Sequence, residues 1–437
     1  MNGSLPVAAP QSRVLVETSH DLPLISLSIG SKRGGLFDPE GQEGLTRLSA
    51  RLMRRTGGGR EPQEIDTRID SIGASLGVDV SASTVVFHAS SIRRSISELT
   101  DIVADVLARP GLAEDELGRL KRETEAELVE ALDDDRGLAR RWFRRKLFPS
   151  HPYGRPLSGT PETLARISRA SVQAQAASIA ARGELLFAFA GDIEQAEADR
   201  LVARIESGLP DGRSVIDPTP EPASVSGRRL IIVDKPERTQ TQILIGALGT
   251  HPSDEDHTAL LVGNTIFGGT FTARLTQEIR AKRGWSYGAY SSLPVDRRRQ
   301  SFSLWTFPKT DDAAACIRLQ LDMLKELRER GVTAKELAWA KRYLVRSHAF
   351  AVDTPSKRAG LLLEASLYDL PPRYYDDYLA RVSAVKLDDV NQALARRVPE
   401  KDLLVVVVGT ANDLRASVEG AIEDLAETEI VRYDLAV

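Results

Sequence analysis

The chain is poor in the residues that most often announce chemistry. Its 437 residues contain one cysteine, Cys316, in "DAAACIRLQL". That excludes an internal disulfide and a cysteine-based zinc site, and the helical pattern around Cys316 predicts a small buried side chain. There are six histidines, His20, His88, His151, His251, His257 and His348, and no two of them stand three or four residues apart. No apolar run approaches the roughly 18 residues a membrane span needs. "GGG" at 57–59 and "GGT" at 268–270 lack the following Lys-Ser or Lys-Thr of a phosphate loop and read as turns. No serine stands in a G-x-S-x-G elbow. The formal charge of −4 gives no reason to expect nucleic acid or an anionic membrane as a partner. "MNGSLPVAAPQSRVLVE" does not have the build of a signal peptide. The expected compartment is therefore the cytoplasm, or the periplasm if a leader has been removed.

What the chain does contain is a mixture of short apolar runs and longer stretches of helical period. "PLISLSIG", "ELLFAFAGD", "TQILIGALG" and "DLLVVVVGT" read as strands. "ISELTDIVADVLARP", "AEDELGRLKRETEAELVEALDDD" and "AACIRLQLDMLKELRERG" read as helices, the last ending on Gly331. The class is α+β. The order of elements recurs with an offset of about 215 residues, which indicates duplication of a whole domain. The halves fall at 12–209 and 227–434, joined by a linker at 210–226 rich in proline, serine and glycine.

Five stretches are read as candidate sites. In "GLTRLSARLMRRTGGG", Leu45, Leu48 and Leu52 share one helical face, and Arg47 and Arg51 stand four apart with no acid between them. Like charges at that spacing cost an isolated helix roughly 0.2–0.5 kcal/mol per pair, and taken alone they read as a solvated basic face. Glu123, Glu127 and Glu130 form a stripe on the long charged helix and alone read as a solvated acidic face. In "HPSDEDH", Ser253 and Asp256 read as a capping box opening the next helix, in preference to a metal site at His251 and His257. "HPYGRPLSGTPE" is a turn-rich loop whose Thr160 caps the following helix. In "GGTFTARLTQEIRAKRGWSYGAYSSL", a helix runs to about Lys282, stops at Gly284, and a strand begins near Ser286. Arg280 and Tyr287 can then reach one side, where together they could grip a peptide carbonyl or a developing oxyanion. A surface arginine beside a half-buried tyrosine is the competing reading.

Together these segments resemble the M16 metallopeptidase family, the group of mitochondrial processing peptidase, pitrilysin and insulin-degrading enzyme. The resemblance covers nearly the whole chain and rests on the duplicated halves, the "HPYGRPLSGTPE" loop, the "GGTFTARLTQEIRAKRGWSYGAYS" stretch and the arginine-bearing helix. It implies two homologous domains, each an antiparallel sheet with helices on one face, and two chains closing like a clam shell on a polar chamber that admits peptides or unfolded polypeptide. Active members carry H-x-x-E-H on the opening helix, two zinc ligands and the glutamate that activates zinc-bound water. Laid on this chain, the first histidine falls on Arg47, the glutamate on Ala50 and the second histidine on Arg51, while the family's downstream glutamate ligand aligns with Glu127. Arginine offers no lone pair and alanine no base, so the resemblance implies no metal in this chain and zinc in a partner. Glu127 is then expected to pair with Arg47 or Arg51.

The family's arginine and tyrosine map onto Arg280 and Tyr287 without a gap. The expectation is a non-catalytic subunit of a heterodimeric zinc peptidase, inactive alone, that donates Arg280 and Tyr287 to the site of an H-x-x-E-H partner. The alternative is an inert peptide-binding or structural scaffold of the same fold, like the respiratory-complex core subunits, and in that case a homodimer.

Overall fold

The structure, a computed structural model, describes residues 14–211, 217 and 219–436. Residues 12 and 13 of the expected first half, and 212–216 and 218 of the expected linker, lie outside the described residues. Among those described, no helix is long and apolar enough to cross a membrane.

Each half is built on one sheet. The first contains β1 (Val14–Thr18), β2 (Leu24–Ser31), β3 (Ser75–Val80), β4 (Val85–Ile92) and β5 (Leu186–Gly191), in the order β1-β5-β2-β4-β3. The second contains β6 (Arg228–Asp234), β7 (Gln242–Leu248), β8 (Ala289–Ser292), β9 (Ser301–Thr306), β10 (Leu404–Gly409) and β11 (Leu425–Arg432), in the order β11-β6-β10-β7-β9-β8. Stripped of β11, the second order is the first repeated, so the duplication expected from the sequence is present strand for strand. Helices follow the same correspondence, with Leu45–Arg55 answered by His257–Phe267 and Asp135–Leu147 by Pro355–Leu367.

Two details differ from the expected pattern. The sheets are mixed, not antiparallel throughout: β1 runs parallel to β5, and β6 runs parallel to both β10 and β11. Parallel neighbours need long connections, and these pairs are separated by most of a half or more. The helices also cover both faces of each sheet. Along β10, Val405 and Val407 face the core of their own half, while Leu404, Val406 and Val408 join a cluster with Leu138, Trp142 and Phe143 of the Asp135–Leu147 helix from the other half. In the first sheet, Phe187 and Phe189 face inward, while Ala188 and Ala190 meet Ala359, Leu363 and Leu367 of the Pro355–Leu367 helix. Each half thus lends the other a helix. An unbroken run such as "LVVVVG" is what a strand needs when neither face meets water.

Two glycines mark where the exchanged helices come closest. A Cβ at Gly30 of β2 would lie 2.9 Å from Leu367, and one at Gly246 of β7 would lie 2.9 Å from Phe143 and 2.4 Å from the Phe302 carbonyl. The linker is tied down as well. Asp217 pairs with Arg297 at 3.1 Å and Arg298 at 3.3 Å, and Val225 is buried in the inter-half cluster.

Smaller corrections concern element ends. The capping box expected at Ser253 and Asp256 does not form. The helix begins at His257, and the Asp256 carboxylate is instead held by Arg397 at 2.8 and 2.9 Å. Thr160 does cap its helix, accepting from the Thr163 amide. Tyr287 lies before the strand, since β8 starts at Ala289.

Phe143 is 3% exposed and belongs to a helix packed on the opposite half. Phe143→Ala is expected to cost about 3–5 kcal/mol, read as a lowered urea midpoint. Both halves should lose structure in one transition, because the deleted contacts join them.

Candidate functional site

The Leu45–Arg55 helix is held at its start by a buried carboxylate. Gly44 takes a left-handed conformation, φ 95°, and Asp38 accepts from the Gly44 amide at 2.9 Å, the Thr46 amide at 2.8 Å and the Thr46 hydroxyl at 2.5 Å. Burial pushes the Asp38 carboxyl up to about 6 against these hydrogen bonds. Leu45, Leu48, Leu52 and Met53 anchor the helix in the core. The opposite side carries the arginines to the neighbouring Glu114–Glu130 helix.

There the two charge stripes meet. Arg51 grips Glu127 with both arms, Nη2 to Oε1 at 2.6 Å and Nη1 to Oε2 at 3.0 Å, and Nη1 also reaches the Thr124 hydroxyl at 3.3 Å. Arg47 Nη2 donates to the same Glu127 Oε2 at 3.2 Å, and its Nη1 donates to Ser158 Oγ at 2.5 Å. Arg55 pairs with Glu123 one turn further on. The missing acid of the arginine helix is therefore supplied from another element. Ser158 brings the "HPYGRPLSGTPE" loop into the cluster, a contact its sequence alone did not signal. Burial lowers the Arg47 guanidinium from its usual value, the Glu127 charge opposes that, and the Arg51 charge adds to it. Ala50 is fully buried.

This donor set does not fit zinc. Guanidinium groups have no lone pair for a cation and repel it, both Glu127 oxygens are already engaged, and position 50 offers no base. Among the described residues, no three His, Cys, Asp or Glu side chains converge as metal ligands.

Arg280 and Tyr287 do come together. Residues Thr276–Ala281 form a short π-helical turn, and Gly284 at φ 64° reverses the chain. The Arg280 guanidinium carbon then lies 3.9 Å from the centre of the Tyr287 ring and 4.3 Å from that of Phe271. Tyr287 is 73% and Phe271 55% exposed. Among the described residues, neither the Arg280 guanidinium nor the Tyr287 hydroxyl has a hydrogen-bond partner, and no hydrogen bond or ion pair joins this pair to the Arg47–Arg51–Glu127 cluster. A guanidinium packed against two rings rather than a carboxylate keeps N–H groups free for an acceptor. Phe271 was not picked out from the sequence, although an aromatic residue in a glycine- and threonine-rich turn is an available signal.

The remaining histidine candidates are structural. His151 contacts the Tyr153 amide at 3.1 Å and the Pro220 carbonyl at 3.0 Å. His257 is 2% exposed between Thr250 Oγ1 at 2.9 Å and the Tyr374 hydroxyl at 3.1 Å. Cys316 is buried, and burial raises its thiol to about 11.

A duplicated α+β chain with one sheet in each half and helices on both faces of each defines a class of two-domain proteins. The comparisons make this specific. Residues 13–161 match the family described as "Insulinase (Peptidase family M16)" and residues 166–344 match "Peptidase M16 inactive domain". This chain belongs to the M16 family. It is 26% identical over 363 residues to an uncharacterized zinc protease of Mycobacterium bovis, covering 82% of each chain. It is 22% identical over 401 residues to the non-peptidase homolog YmxG of Helicobacter pylori, covering 90% of this chain and 91% of that one. Its fold matches the crystal structure of a peptidase M16 inactive domain from Pseudomonas fluorescens with a TM-score of 0.84 at 24% identity, covering 91% and 95% of the two chains.

Two outcomes are expected. Glu127→Ala removes the counter-charge of both Arg47 and Arg51 and should lower stability by about 1 kcal/mol. Added salt should recover part of that loss by screening the arginine pair, as read in urea midpoints. His257 behaves differently. Burial holds its folded-state value down to about 4, against about 6.5 in the unfolded chain. Between those values the unfolded chain binds a proton that the folded one refuses, so stability falls as pH drops from about 6.5 to 4. His257→Gln should flatten that slope in denaturation curves taken across the window.

Proposed function

We propose that this chain is the zinc-free subunit of a two-subunit M16 peptidase, inactive alone, which lends Arg280 and Tyr287 to the active site of a homologous partner carrying H-x-x-E-H. The observation that carries the reading is the double clamp on Glu127. Arg47 and Arg51 both engage Glu127, and the family resemblance lays its two histidine ligands on these arginines and its third ligand on this glutamate. Fixed positive charge standing for a divalent ion keeps the helix pair neutralised without hydrolytic chemistry. The name of the Helicobacter relative and the description of the family's second-half profile are consistent with this.

Arg280 and Tyr287 support the other half of the proposal. A guanidinium packed between two rings and an exposed phenol are two donors held in place without being used internally. In a partner's site they would hydrogen-bond the scissile carbonyl and stabilise the tetrahedral oxyanion as charge develops on it. The substrate class is an unfolded or short peptide, because a chamber between two facing chains excludes folded domains.

The test is reconstitution. The chain is copurified from its native host with whatever homologous H-x-x-E-H subunit accompanies it, and cleavage of a quenched fluorescent peptide is followed for each subunit alone and for the mixture. Only the mixture should be fully active, and Arg280→Ala should lower its turnover by about 10²–10³-fold with the complex intact by light scattering. Undiminished turnover in that complex would remove Arg280 from the chemistry and leave the scaffold reading.

A further inference from the structure

Between the two halves, beside the exchanged Asp135–Leu147 helix, lies a cavity of about 520 Å³. Its wall on the helix side carries Arg136, Arg140 and Arg144, spaced four apart and so on one face. Its wall on the sheet side is the outer face of β8 and β9, with Tyr290, Ser292 and Trp305. The three arginines are not equivalent. Arg144 donates through Nε and Nη2 to the Tyr153 carbonyl at 3.2 and 3.0 Å. Among the described residues, neither Arg136 nor Arg140 has a carboxylate within ion-pair distance or any hydrogen-bond acceptor. In a chain where the arginines of the Leu45–Arg55 helix all find acids, two neighbouring guanidinium groups left open in a cavity stand apart.

Arg136 is also positioned. Its guanidinium carbon lies 3.6 Å from the centre of the Trp305 ring. That ring is itself fixed by a hydrogen bond from Nε1 to Gln242 Oε1 at 2.9 Å and by the nearly parallel Tyr290 ring, 6.2 Å away at 11°. Stacking of this kind sets the plane of a guanidinium and leaves its edge free to meet a carboxylate with two parallel hydrogen bonds. Burial and the neighbouring Arg140 charge both lower Arg136 from its ordinary value, with the Asp134 charge opposing them, so an arriving anion would relieve an uncompensated charge. Asp296, the carboxylate in the lining, accepts from the Arg297 amide at 2.7 Å and lies towards Arg144.

We propose that this cavity binds a carboxylate of an acidic peptide, held by Arg136 and Arg140 against the Trp305–Tyr290 stack. The inference rests on the peptide-binding reading above and adds a substrate class to it. Tyr287 precedes Tyr290 by three residues, and three extended residues span at most about 11 Å. A peptide held at Arg280 and Tyr287 therefore passes the cavity mouth within a few residues, so an acidic side chain or a terminal carboxylate a short way along it enters here.

The experiment uses the full-length chain and two 12-residue peptides, C-terminally amidated and labelled with an uncharged BODIPY dye, identical except that three glutamates in one are glutamines in the other. Binding is read by anisotropy at low and at physiological salt. The glutamate peptide should bind about tenfold more tightly, a difference of about 1.4 kcal/mol, and the preference should shrink with salt. Arg140→Gln should abolish the preference while leaving the glutamine peptide's affinity unchanged. Arg140→Lys, which keeps the charge and loses the fork, should retain part of it. Equal binding of both peptides to the unaltered chain overturns the carboxylate site but leaves peptide binding standing. Binding of neither overturns both. If inorganic phosphate quenches Trp305 fluorescence in an Arg140-dependent way while the glutamate peptide shows no preference, the site is one for phosphate and the proposal fails.

Discussion

The architecture depends on the exchange of one helix in each direction between the halves. A sheet has two faces, and a duplicated half with its own helices on one face would leave the other exposed. Burying that second face against the partner half's helix makes Leu404, Val406 and Val408 as dry as Val405 and Val407. It also makes the two halves one cooperative body, because neither Asp135–Leu147 nor Pro355–Leu367 packs fully within its own half. The duplicated glycines at the crossing points follow from that demand. A helix carrying Phe143 or Leu367 sits close to a sheet only where the strand beneath has no side chain to meet it. The cavity lined by Arg136 and Arg140 is the place where the crossing helix runs past the sheet without covering all of it. The same exchange that closes the core therefore opens the seam.

Within that frame, the charge of the arginine helix is met from a second element. Asp38 fixes the helix start, Leu45, Leu48 and Leu52 fix its roll, and Glu127 stands opposite at the distance a bidentate pair requires. One carboxylate is shared between two cations.

Much of this was legible in the sequence, and what was not has a physical reason. β5, β7 and β10 announced themselves because both faces are buried and their apolar runs are continuous. β11, "LAETEIVR", was passed over because it lies at the sheet edge and alternates acids with apolar residues. The mixed pairing could not be read because register and direction between strands most of a half apart leave no local signal. Arg47, Ala50 and Arg51 were located through the family resemblance, and Glu127 followed from it. Ser158 and Asp38 were not, since their contacts cross 111 and 8 residues respectively and neither sits in a pattern of its own. The Ser253–Asp256 box failed because a tertiary partner, Arg397, took the carboxylate that a local cap would have used.

The arginines finally divide by what they touch, and that division separates structure from function better than their number does. Arg47, Arg51, Arg54 and Arg55 lie within one helix, and each meets a carboxylate from another element, so their charge is spent on holding helices together. Among the described residues, Arg136, Arg140 and Arg280 meet no carboxylate. Two of them are instead held by aromatic rings, which set orientation without neutralising charge. Evolution of an internal ion pair would have been easy in a chain with 62 acidic residues, several of them on adjoining turns. A guanidinium that is positioned but not neutralised has its hydrogen-bonding capacity aimed at something that arrives from outside. The two places lie close together: Arg280 is packed on Tyr287, and Arg136 on Trp305, whose ring stacks with Tyr290 three residues after Tyr287.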